Sequence, residues 1–109
     1  MNLSGASILL TAHHFDAELS EGWHEHTWKV TAWWAASPWR DGRAMAAALR
    51  AALEAMVSID DEGRRVIPAA LWSNEALARA LRPLANIEKI TIDREPAGDQ
   101  PGFHTEVWT

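Results

Sequence analysis

A chain of 109 residues, 48% of them hydrophobic, suits one packed domain and no more. Its net charge of −5 argues against a nucleic-acid partner, which needs a basic face, and the absence of cysteine excludes disulfides, Cys-ligated metal and a thiol nucleophile. No apolar run is long enough to span a bilayer, and residues 1–12 carry no basic segment of the kind that opens a signal peptide, so a cytoplasmic enzyme or binding protein with no membrane partner is expected. Residues 7–15 read as a strand, apolar at first and closing on His13-His14. Residues 16–23 are polar and contain Gly22, which marks a short loop. Residues 24–34 are rich in aromatic and β-branched side chains and read as the second strand of a hairpin, broken by Ser37-Pro38. Asp41 is placed to cap a helix over residues 42–56, with Leu49, Leu53 and Met56 at helical spacing. Residues 59–68 are charged and irregular. Ser73 caps a second helix running to about Leu81, just before Pro83. Residues 87–93 alternate as a strand, 96–102 form a turn, and 103–108 form a last strand. The order β-β-α-α-β-β predicts an α+β domain, an antiparallel sheet with two helices on one side.

Two features of composition carry chemistry. There are seven Trp and no Tyr, and several of the Trp cluster in the second strand. Trp28, Val30, Ala32 and Trp34 alternate there as a core-facing set. A domain this small is stabilised only marginally by burial, so a homo-oligomer is expected. The second feature is histidine: four of the five lie between positions 13 and 26. His24 and His26 are two apart, which puts both on one face of a strand. If the first two strands pair as a hairpin, His13 or His14 lies opposite them. Three imidazoles on one sheet face supply three ligands of a tetrahedral zinc site and leave the fourth position for water or substrate. Zinc so held polarises an oxygen and stabilises charge that develops on it.

The residues then resemble a known family. Leu9-Leu10-Thr11-Ala12-His13-His14-Phe15 is similar to the F-x-A-A-H-x-L strand of the 6-pyruvoyl-tetrahydropterin synthase / 6-carboxytetrahydropterin synthase family. His24-Glu25-His26-Thr27-Trp28 is similar to its H-G-H-aromatic strand. Ser73-Asn74-Glu75-Ala76-Leu77-Ala78 resembles its P-T-x-E-x-L-A helix start. Ile90-Thr91-Ile92, then Glu95, then Phe103 resemble its later strand, its pterin-anchoring Glu and a following aromatic. The order holds over nearly the whole chain. The resemblance implies the tunnelling fold (T-fold), with trimers whose sheets join into a barrel, stacked in pairs. It implies a Zn²⁺ cofactor and a pterin substrate, 7,8-dihydroneopterin triphosphate, from which triphosphate is eliminated in pterin or queuosine-precursor synthesis. By the same resemblance His13, His24 and His26 are the zinc ligands, with His14 the alternative first ligand. Glu95 would accept from the pterin N–H edge, and Ser73 and Asn74 would bind substrate.

The chain departs from the family in its proton relay. The family's Cys stands four residues before the first histidine of the pair, and Ser20 stands there. A Ser hydroxyl is too weak an acid to serve unaided near neutral pH, so Glu21 beside it becomes the candidate base. The family's Asp-His pair after the first helix is met only by Asp60, a second candidate, and the remaining histidine, His104, lies far along the chain. Glu25 replaces the Gly of H-G-H, and the loop before Trp23 is short. Lys29, Arg40 and Arg43 are the basic candidates for a triphosphate. Two readings follow: an enzyme with an atypical relay, or an altered or inactive member that binds a pterin- or purine-like ligand.

Overall fold

The computed structural model describes residues 2–16, 22–71, 73–96, 98–99 and 101–109. In chain order these form β1 (Leu3–Asp16), β2 (Gly22–Ala35), α1 (Gly42–Glu54), β3 (Ser58–Ile59), β4 (Arg65–Val66), a 3-10 turn (Ala69–Leu71), α2 (Asn74–Ala80), β5 (Lys89–Arg94) and β6 (Phe103–Trp108). The α+β class is as expected from the sequence, and so is the long hairpin. The simple β-β-α-α-β-β order is not. A further small hairpin, β3–β4, stands between the helices, where the sequence reads as irregular.

The six strands make one sheet in the order β3-β4-β1-β2-β5-β6. Neighbours are antiparallel except β1 and β4, which meet in parallel at His13 and Val66, so the sheet is mixed. Strands β3 and β4 are too short to show an alternating pattern, which is why periodicity misses them. What builds them is the turn. The Asp60 carboxylate accepts from the backbone N–H groups of Glu62 and Arg64 at 2.9 and 2.8 Å, and Gly63 takes the left-handed conformation the turn requires, at φ 80°. Arg65 then forks onto Glu54 at the end of α1, and Ile67 N–H donates to the His13 carbonyl at 3.0 Å.

Register follows from which residues avoid water. Ile8 stands opposite Val30, Leu10 opposite Trp28 and Ala12 opposite His26, all facing the helices. A slip of one residue would turn that whole row to the open face. Beneath the helices, Ile8, Leu10, Trp28, Val30, Ile90 and Ile92 join Leu49 and Leu53 of α1 and Leu77 and Leu81 of α2 in one cluster. Asp41 caps α1 by accepting from the Arg43 N–H, and Ser73 caps α2 by accepting from the Ala76 N–H. The opposite face of the sheet is open and mostly polar, with Leu9 68% exposed on it. On that face Trp33 lies over Gly5, whose missing side chain makes the room: a Cβ there would sit 2.8 Å from the indole. Among the described residues no helix is long and apolar enough to cross a membrane.

Candidate metal centre

The hairpin assembles the histidines directly. His14 stands opposite His24 in the β1–β2 register, and His26 lies one inward position further along β2, opposite Ala12. The three ring centroids sit 4.6, 4.8 and 4.5 Å apart, edge to face at 74°, 74° and 81°. His14 Nε2 and His24 Nε2 are 3.0 Å apart, so one of those nitrogens carries the proton and the other accepts it. All three residues can offer a ligand nitrogen within 4.8 Å of the others. A tetrahedral zinc with bonds of about 2.05 Å needs its nitrogens roughly 3.3 Å apart, so the group fits such an ion with small ring adjustments. His14 is 3% exposed and the other two are half-buried, and the group faces the interior side of the sheet two pairs from the end where β1 connects to β2.

The histidine that joins His24 and His26 is therefore His14, not His13 as expected. His13 pairs with Glu25 on the other face of the sheet. Strand alternation forces this: Ile8, Leu10 and Ala12 already point at the helices, so the next inward position on β1 is 14. That signal was in the sequence, masked by the apolar Leu9, which breaks the alternation. The motif similarity placed the ligand one residue early.

The other expected site residues disperse. Ser73 is spent as the cap of α2. Asn74 accepts a hydrogen bond from the Trp28 Nε1–H at 3.1 Å rather than facing a ligand cavity. Asp60 holds its turn, and the Arg64 guanidinium and the two backbone N–H groups keep its carboxyl below the usual range. That carboxylate anchors its turn and stands outside the histidine group. Glu21 and Ser20 lie outside the described residues. Glu95 is exposed and lines a cavity of about 340 Å³ together with His26, Thr27, Lys29 and Arg94. Leu9, Glu25 and Asp93 also line it and belong to the open face, so the Glu95 groove lies across the sheet from the three imidazoles. His104 is bound to Asp93 and Glu106 on the open face, with the sheet between it and the cluster.

Set against models of known families, against curated proteins and against solved structures, the chain matches none. Its chemistry is therefore read from the site alone. The chain has no cysteine, and among the described residues no carboxylate joins the group; three imidazoles are a donor set of the kind that holds zinc and leaves a coordination position open.

Proposed function

We propose that the protein is a zinc-dependent carbon–oxygen lyase of the 6-pyruvoyl-tetrahydropterin / 6-carboxytetrahydropterin synthase type, acting on 7,8-dihydroneopterin triphosphate or a related pterin. The observation that carries this reading is the convergence of His14, His24 and His26 on one sheet face. Zinc held by them supplies Lewis-acid polarisation of an oxygen on the substrate's side chain. Glu95 suits the N–H edge of a pterin, because a carboxylate accepts two parallel donors; its groove opens on the other face of the sheet from the imidazoles, so in this reading it serves a site shared between chains of the oligomer. Lys29 in that groove offers a cation to the phosphates. Glu21 is the proposed base, since Ser20 replaces the family's thiol and Asp60 is committed to its turn. Assembly as trimers with a T-fold barrel, or as stacked trimers, belongs to the same reading.

A second reading is favoured by a specific observation. Neither His13 nor His104 shares a face with the metal group, so no described histidine replaces the missing relay histidine. The protein would then bind a pterin-like ligand and turn it over slowly or not at all, since each lost acid–base group costs about a hundredfold in rate. One experiment separates the two. Zinc-loaded wild type and the His24→Ala variant are incubated with 7,8-dihydroneopterin triphosphate, and released triphosphate is measured. Release that requires His24 supports the lyase. Full zinc loading without release sinks it and leaves the binding reading. A wild type that takes up no zinc sinks both.

A further inference from the structure

Below the three imidazoles lies an indole. Trp28 meets His14 edge to face, with centroids 5.1 Å apart and planes at 87°. It meets His26 at 5.9 Å and 64°. Only 1% of its surface is exposed, and an indole that deep needs an acceptor for its N–H. Asn74 is that acceptor, at 3.1 Å. Asn74 is the first residue of α2, directly after the Ser73 cap, so the start of the helix fixes where its oxygen stands. A continuous set of contacts therefore runs from α2 through Asn74 and Trp28 to two of the three rings. His24 joins it through its neighbours, with centroids 4.6 Å from His14 and 4.5 Å from His26.

We propose that Trp28 and Asn74 are positioning residues of the histidine site: the indole sets the ring planes of His14 and His26, and Asn74 sets the indole. The proposal rests on the metal reading above. A histidine ring rotates about a broad torsion, so its own backbone does not aim its nitrogen. A metal bond needs that nitrogen aimed closely, and the aim is usually imposed by groups behind the ligand. A wall of indole stands at nearly a right angle to the His14 ring and limits its tilt. The indole in turn has one hydrogen-bonding direction, and Asn74 occupies it. Without Asn74 the N–H would have to turn toward another acceptor, and the wall would turn with it. Helix α2 and the metal site are thereby coupled: a shift of the helix start moves the rings.

The test uses the full chain as wild type and as Asn74→Ala, Asn74→Asp, Trp28→Phe and His24→Ala. Each is titrated with Co²⁺, whose visible absorption reports ligand geometry, and Zn²⁺ affinity is read by competition. Thermal unfolding of the metal-free proteins is followed alongside. Asn74→Ala should weaken metal binding about tenfold or more and alter the Co²⁺ band. Asn74→Asp keeps an acceptor oxygen and should restore both. Trp28→Phe keeps a ring and loses the N–H, and should fall between. A lowered melting temperature with wild-type affinity and an unchanged Co²⁺ band in Asn74→Ala would make Asn74 merely structural and overturn the proposal. If Trp28→Phe does not fold, the Asn74 pair carries the same test. A wild type that binds neither metal, no better than His24→Ala, overturns the metal reading itself, a result distinct from variants that bind as the wild type does.

Discussion

Two adjacent histidines on β1 have opposite fates, because a strand sends successive side chains to opposite faces. His14 joins the metal group, and His13 faces Glu25 across the open side. Purified without added metal, the wild type should carry about one zinc per chain. His14→Ala should lose it and His13→Ala should keep it, as elemental analysis would read directly. The reverse result would place the hairpin register one residue off. A second histidine argument concerns pH. His104 on β6 is bound through its two ring nitrogens to Asp93 and Glu106, and these bonds raise its pKa above the ordinary value. Around it stand Lys89 on β5, which is bonded to Glu106, and Lys29 on β2, opposite Asp93. A raised folded-state value means that the charged histidine favours the folded chain. That gain is complete below the unfolded value of about 6.5 and fades as pH rises through the folded value. His104→Gln should therefore unfold at lower urea than wild type at about pH 5.5, and the gap should close as pH rises through the folded value. The surface exposure of the group keeps the effect modest. A gap that widens with pH would mean that the imidazolium does not bridge the two carboxylates.

Helix α1 is held by two buried leucines, Leu49 and Leu53, one turn apart on the face that meets β1 and β2. The remaining face is mostly alanine and charge, so the helix depends on its packing more than on its own propensity. Leu53→Ala should cost about 2–5 kcal/mol in chemical denaturation, the range for a buried leucine whose cavity only partly collapses. A loss below about 1 kcal/mol would mean that α1 is loosely docked. This helix and its cap at Asp41 were legible in the sequence, because spacing and capping are local. So were Ser73 and α2. The β3–β4 hairpin was not. It consists of two-residue strands with exposed side chains, and it exists because the Asp60 turn, the Arg65–Glu54 fork and the His13 carbonyl each supply a partner. Of these three partners, Glu54 and His13 lie on other elements, so the tie is invisible to any local pattern.

The molecule as a whole buries one core on one side of its sheet and leaves the other side open, with the histidine group near the end where β1 connects to β2. The β1–β2 pair forms the centre of the sheet, so a metal bound between these strands would brace the element on which α1 rests. A ligand that binds only the folded chain stabilises it by mass action. At a hundredfold excess over its dissociation constant that amounts to about 2.7 kcal/mol. Added zinc should therefore raise the melting temperature of the wild type and leave that of His24→Ala unchanged. Magnesium, which prefers oxygen ligands, should do nothing to either. An equal rise in the variant would mean that the zinc binds elsewhere.

Residue type and local spacing settle much of this protein. The hairpin, the two caps, the inward row of Trp28, Val30, Ala32 and Trp34, and a histidine pair on one strand face each leave a pattern within a few residues of sequence, so the chain carries them in plain view. The choice between His13 and His14 depended on register against a partner strand, and Leu9 blurred the parity that would have fixed it. The true work of Asn74 and Asp60 was equally hidden. Asn74 is matched to an indole 46 residues earlier in the chain, and Asp60 to a turn whose edge is pinned to β1. A side chain's partner follows from distance in space, and spacing along the chain fixes that distance only within a single element.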